Sequence, residues 1–228
     1  MSSGPAPAPG TAPAEATASA RGCPICGSGE LVEFAGRRDA RCPVCDALER
    51  HRALAREMRD LLRGGSGRQA LEAGPTSRRV FGGFLRERGW RYVSIDQSRT
   101  GHPNDRRYVG FIDHEADLCE LSLFDRGSIE LVIAQHVIEE IPAFETALAE
   151  IARVLSPGGT ALLEIPFDPA LERSQRHPPG RYGNVWRFGA DLPGVVERNF
   201  GQAEIVELRE ATYFGRLFVC GRDGRAHA

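Results

Sequence analysis

The 228 residues suffice for one α/β domain and a small appendage, and a net charge of −2 with a pI of about 6.3 leaves no global basic field to draw nucleic acid. No apolar run approaches the roughly 20 residues of a membrane-crossing helix, and the first residues lack the basic and apolar regions of a signal peptide, so the cytoplasm is the expected compartment. All 29 basic residues are arginine, which excludes Schiff-base lysines and lysine-dependent phosphate loops.

In chain order, residues 1–20 are Ala/Pro-rich with one charge and read as a disordered tail. Residues 21–64 hold two Cys-x-x-Cys pairs in a turn-rich stretch. A helix follows there, carrying Leu48, Ala55, Met58 and Leu62 at helical spacing, with Asp46 as its expected N-cap. Residues 65–228 alternate strands with helices. Strands are expected at Gln69–Ala73, Tyr92–Asp96, Tyr108–Ile112, Ile129–Ala134 and Thr160–Ile165, and helices at Arg78–Arg88, Pro142–Leu155 and Ala190–Asn199. Pro157-Gly158-Gly159 stops the middle helix. Two last strands, Glu204–Leu208 and Tyr213–Cys220, form a terminal antiparallel hairpin on an otherwise parallel sheet.

Cys23, Cys26, Cys42 and Cys45 form a C-x2-C-x15-C-x2-C pattern. A two-residue gap lets both thiolates of a pair reach one zinc, and tetrahedral coordination at about 2.3 Å then joins the pairs. Four thiolates close the coordination sphere, so the metal is expected to be structural; disulfides or a redox pair are the alternative. The neighbouring arginines are interleaved with acids, which argues against nucleic acid and for a solvated helix face. Cys119 and Cys220 are isolated, as buried apolar residues would be.

Four short motifs fall at expected carboxyl ends of parallel strands, the rim where open α/β sheets bind ligands. They are Leu71-Glu72-Ala73-Gly74, Ile95-Asp96-Gln97, Ala116-Asp117-Leu118 and Ala134-Gln135-His136. An acid at the tip of the second strand suits the two hydroxyls of a ribose. A carboxylate at a strand end is as often a helix cap; it is the ordered set that points to a nucleoside cofactor.

With these residues in place, Gln69 to Ile165 resembles the class I S-adenosylmethionine-dependent methyltransferase domain, the methyltransferase type 11 family. IELVIAQHVIEEIP and EIARVLSPGGTALLEIP carry the resemblance most specifically. The paired cysteines followed by ALERHR also resemble a bacterial subgroup with an N-terminal zinc ribbon. The resemblance implies an α/β fold with a Rossmann-like seven-stranded methyltransferase sheet, a terminal antiparallel hairpin and a small preceding zinc ribbon held by four cysteines. It implies that Glu72 and Gly74 shape the methionine pocket, that Asp96 and Gln97 hold the ribose, and that Asp117 and Leu118 meet adenine. Gln135 and His136 would line the methionine and reaction side. The sequence departs from the family where Pro75, Thr76 and Ser77 replace two glycines, where Glu130 replaces Asp, and where Glu140 stands in place of His.

Methyl transfer from a sulfonium is an in-line displacement that needs alignment and, for most acceptors, a base. His136 and His177 are the candidate catalytic residues. Arg176, Arg181, Tyr182 and Trp186 lie in the irregular HPPGRYGNVWRFG segment, whose arginines and aromatics suggest a planar or anionic small substrate. His51, on the ribbon helix, is expected at the surface. The leading reading is a small-molecule O- or N-methyltransferase of secondary metabolism, with no membrane and oligomerisation possible. The alternatives are an RNA or protein methyltransferase using the ribbon for recognition, and a methyltransferase-fold binding protein that has lost catalysis.

Overall fold

The computed structural model describes residues 22–62, 67–75, 80–97, 112–180 and 183–221. The expected 1–20 tail and most of the Tyr108–Ile112 strand lie outside them.

The run IELVIA becomes the central strand β6 (Ile129–Gln135), buried over most of its length because both faces are covered. On one side it pairs in parallel with β3 (Gln69–Ala73), then β4 (Arg91–Asp96) and the short β5 (His114–Glu115). On the other side lies β7 (Leu155–Glu164), parallel to β6. Antiparallel β11 (Tyr213–Gly221) and the edge strand β10 (Gln202–Glu210) complete the sheet. The order β10-β11-β7-β6-β3-β4-β5 is the expected seven-stranded sheet with its terminal hairpin.

Because successive strand residues point to opposite faces, β6 divides the core in two. Val132 and Ala134 join a buried cluster with Leu148, Ile151 and Val154 of α3 (Phe144–Val154) and Leu192 and Val196 of α4 (Leu192–Phe200). Leu131 and Ile133 join the opposite cluster with Leu54 and Met58 of α1 (Glu49–Leu61) and Phe81, Phe84 and Leu85 of α2 (Val80–Arg86). Helix α3 ends before the expected Pro-Gly-Gly stop. The chain then bulges, since Ile129 pairs with Leu155 and Leu131 with Thr160. A side chain on Gly159 would place its Cβ 3.1 Å from the Ile129 carbonyl, which explains the glycine.

The cysteine-bearing stretch contains a hairpin that the sequence reading treated only as turns, β1 (Val32–Phe34) and β2 (Arg37–Arg41). Its two-residue loop, Ala35-Gly36, has φ of 52° and 77°, the pattern of a type I′ turn. The expected N-cap Asp46 does something else. It has φ 66° and matches Gly27 (φ 77°) at the same place in the other Cys-x-x-Cys turn. Helix α1 starts at Glu49, and His51 Nδ1 accepts the Leu48 N–H at 3.0 Å, filling the role of the back-reaching acid of a capping box.

Nor is the start of α1 a solvated face. Glu49 and His51 are each 2% exposed and Arg52 is 0% exposed. Arg37 grips Glu49 through two hydrogen bonds. The Arg52 guanidinium donates to the carbonyls of Asp39, Ala40 and Ala47 and to Glu210 of β10, while Arg56 donates to the same carboxylate. Cys23, Ile25, Cys42 and Ala47 share one buried cluster with α2 and the sheet. Among the described residues no helix is long and apolar enough to cross a membrane.

Candidate active site

The two Cys-x-x-Cys turns are built alike. Gly27 N–H bonds the Cys23 carbonyl and Asp46 N–H the Cys42 carbonyl, both at 2.9 Å. The four Sγ atoms lie within 4.8 Å of one another, with Cys23–Cys45 and Cys26–Cys42 each at 3.5 Å. Tetrahedral zinc at about 2.3 Å from each sulfur requires about 3.8 Å between sulfurs, so the tetrad fits such an ion. All four are free thiols, which sets aside the disulfide alternative. The hydrogen bond from Cys45 lowers the Cys23 thiol even against burial, while the same bond raises Cys45 and burial raises Cys26, so the thiols share protons that a bound cation would displace.

At the carboxyl end of the parallel strands the expected cofactor motifs come together. Gly74 turns at φ 60°, and a Cβ there would lie 2.6 Å from Val137 Cγ2, so glycine lets the first motif touch the fourth. Glu72, before it, is 3% exposed and takes the Tyr92 hydroxyl hydrogen bond inside the α1–α2 layer. Asp96 ends β4, and its carbonyl accepts the Ala116 N–H at 2.9 Å. Gln97, Glu115, Ala116 and Asp117 line a cavity of about 420 Å³. Asp117 Oδ1 caps the Cys119 N–H, and the Leu118 side chain is buried in the core.

Gln135 and His136 belong to a second, more polar group. His136 has φ 55°, an outlier for a residue with a side chain and a place where strain commonly accompanies function. Its Nδ1 lies 3.1 Å from Glu139 Oε1, and its Nε2 lies 3.5 Å from Glu164 Oε1 and 3.4 Å from the Tyr213 hydroxyl. Glu139 and Glu164 are each 1% exposed. Burial opposes the imidazolium, but the two carboxylates outweigh it and raise His136 to about 9. At neutral pH the two carboxylates therefore favour the charged, donating form of His136 in the free protein.

Gln135 Nε2 donates to Glu164 Oε2 at 2.7 Å and approaches the Arg50 carbonyl at 3.4 Å, so the ribbon helix borders this cluster. His51 lies edge-on to Phe81. Burial, then the positive charges of Arg50, His136 and Arg52, hold its ring well below the usual histidine range. At the mouth, Glu140 is raised to about 7 by desolvation and by the charges of Glu139 and Asp96.

The segment expected to bind substrate is placed differently. Trp186 donates to the Ile141 carbonyl at 3.0 Å and packs on Phe144 and Phe188, a core role. Arg176 is exposed in β8 (Gln175–Arg176), paired with β9 (Trp186–Arg187), and His177 is half-buried with Nδ1 on the Pro178 carbonyl. Arg181 and Tyr182 lie outside the described residues. The segment reaches the rim through Val185, whose N–H bonds the Glu139 carbonyl. Sequence reasoning missed Glu139, Glu164 and Tyr213. For Glu164 a signal existed, since it is an acid closing the apolar run Ala161-Leu162-Leu163 at a strand's carboxyl end.

Residues 71–163 match the methyltransferase domain family, and the chain carries a domain of this S-adenosylmethionine-dependent class. Two solved structures place its fold. One is a 1,6-didemethyltoxoflavin-N1-methyltransferase from Burkholderia thailandensis, solved with 1,6-didemethyltoxoflavin and S-adenosylhomocysteine. It is 16% identical, with a TM-score of 0.56 over 75% of this chain and 77% of that one. The other comes from a Haloferax volcanii complex containing the Trm112 methyltransferase activator. It is 14% identical, with a TM-score of 0.51 over 76% of this chain and 91% of that one. No curated protein matches the chain in sequence.

Proposed function

We propose that this protein transfers a methyl group from S-adenosylmethionine to an oxygen or nitrogen of a small molecule, in the setting of secondary metabolism. The observation that carries this reading is the buried Glu139–His136–Glu164 group at the ends of β6 and β7, beside the turn where Gly74 meets Val137. An open cleft at the ends of β4 and β5, lined by Gln97, Glu115, Ala116 and Asp117, supports a nucleoside site at that rim.

The cofactor, when bound, supplies an electrophilic methyl group on a sulfonium. Asp96 and Gln97 would hold its ribose, Asp117 and Leu118 its adenine, and Glu72, Gly74 and Gln135 its methionine end. His136, fixed between two carboxylates, orients the acceptor, and the carboxylates are the groups able to take its proton. The burial of Arg52 and His51 against the sheet supports a ribbon that walls the acceptor site, in preference to one that reaches for a macromolecule. In this reading residues 21–64 are a zinc-held part of the enzyme.

The test is calorimetric titration of S-adenosylmethionine and S-adenosylhomocysteine into zinc-loaded protein. Micromolar binding that Asp96→Ala abolishes is expected. A folded, zinc-loaded protein that binds neither compound would overturn the proposal and favour a non-catalytic role.

A further inference from the structure

The buried polar group around His136 has more hydrogen-bond acceptors than donors. Glu139 Oε2 and Gln135 Oε1 are buried atoms without a hydrogen-bond partner among the described residues, and Glu164 Oε1 has no hydrogen bond there beyond its 3.5 Å ion pair with His136 Nε2. Burying such atoms unpaired costs about 1–3 kcal/mol each, so two of them beside a third that is only ion-paired call for a ligand that donates. The donors already present are the two nitrogens of His136, the Gln135 amide and the Tyr213 hydroxyl.

The charges agree. Glu139 and Glu164 are two carboxylates against one imidazolium, and Asp96 and Glu140 stand at the mouth on the same negative side. On the ribbon side Arg50 and Arg52 are cations, Arg52 being engaged by Glu210, and the His51 ring beside them is neutral. Its Nε2, in a side chain 2% exposed, has no partner among the described residues, a second buried polar group left open on this wall. Gly215 keeps the group open from β11, because a Cβ there would collide with Glu164 Oε1 and stand 2.6 Å from the Tyr213 hydroxyl.

We infer that the Glu139–His136–Glu164 group is the acceptor subsite for a basic nitrogen, so that the methyl group is delivered to a small amine. This rests on the methyltransferase reading above. An ammonium carries one positive charge and three N–H donors, suiting the surplus negative charge and the under-satisfied acceptors. An alcohol or phenol brings one donor, and a carboxylate brings none and is repelled. The ammonium gives one proton to a carboxylate of the group, leaving a neutral amine with its lone pair. That pair forms the N–CH3 bond as the S–CH3 bond breaks; its electrons go to sulfur, giving a neutral thioether and a methylated ammonium.

The experiment is calorimetry on the full zinc-loaded chain saturated with S-adenosylhomocysteine, with benzylamine, benzyl alcohol and benzoate as matched probes. Benzylamine is expected to bind at least about tenfold more tightly than either of the others. Glu139→Gln, which keeps side-chain shape, should remove that preference while S-adenosylhomocysteine affinity stays unchanged. Equal or tighter binding of benzoate or benzyl alcohol, or no binding of any probe, would overturn the inference. Failure to bind S-adenosylhomocysteine is read before any probe is added and strikes the methyltransferase reading instead.

Discussion

The two faces of the sheet are covered by different physics. Helices α3 and α4 lie on one face through Leu148, Ile151, Leu192 and Val196, an apolar contact that any well-spaced helix could make. On the other face α1 and α2 bring Met58 and Phe81, and the ribbon adds a buried ionic knot of Arg52, Arg56 and Glu210. Apolar contacts tolerate small shifts, whereas a buried guanidinium must meet its partners or lose several kcal/mol. The second face is therefore the one that fixes where the ribbon sits over the rim, and with it the wall beside Gln135.

Metal removal should break that difference most severely. Stripping zinc with a strong chelator, or changing Cys42 to Ser, should unfold the ribbon, since structural zinc supplies about 10–16 kcal/mol of apparent binding energy in small ribbons. Circular dichroism melts with zinc quantification should then show a large fall in melting temperature, together with loss of acceptor binding; an unchanged melt would refute the metal's structural role.

Next in size is Arg52→Ala, which strips three carbonyls of their donor and leaves Glu210 to Arg56 alone; it should cost about 3–5 kcal/mol in urea unfolding. Leu148→Ala on the other face should cost about 2–5 kcal/mol by cavity formation, yet leave zinc content and the rim intact. If Arg52→Ala proves as mild as a surface change, the knot is not what holds the ribbon.

The smallest effect is on pH. His136 is raised to about 9 from the usual 6.5, so its ion pairs contribute their full stability below pH 6.5. That contribution falls between pH 6.5 and about 9 and is absent above. The melting temperature should decline over this window, and His136→Gln should flatten the decline. Because His136 is partly exposed, the slope is expected to be modest.

The apolar face was legible from spacing alone. Phe144, Leu148 and Ile151 recur at helical intervals, and the IELVIA run could hardly be anything but a covered strand. The zinc tetrad was legible because thiol spacing is itself the chemistry. The ribbon helix was misread for a definite reason. In LERHR, alternating charges look like a solvated face, and only the fold reveals that Glu49 meets Arg37 and that Arg52 meets Glu210, 158 residues away. Trp186 stands half-buried against Phe144 and Phe188, a contact that its place in an irregular segment of sequence does not foretell. The Glu139–His136–Glu164 group escaped notice because Glu164 joins it through sheet register, as the partner of Gln135.

Arg52 also sets an order of events during synthesis. A chain leaving the ribosome presents its N-terminal portion first, and the cysteines can take up metal long before β10 exists. Until Glu210 emerges, the guanidinium that belongs in the interior has carbonyl partners but no counter-charge. A nascent chain stalled ahead of β10 would hold a metal-loaded ribbon with no settled seat. Completion of the terminal hairpin is thus the step that commits the first-made part of the protein to its place.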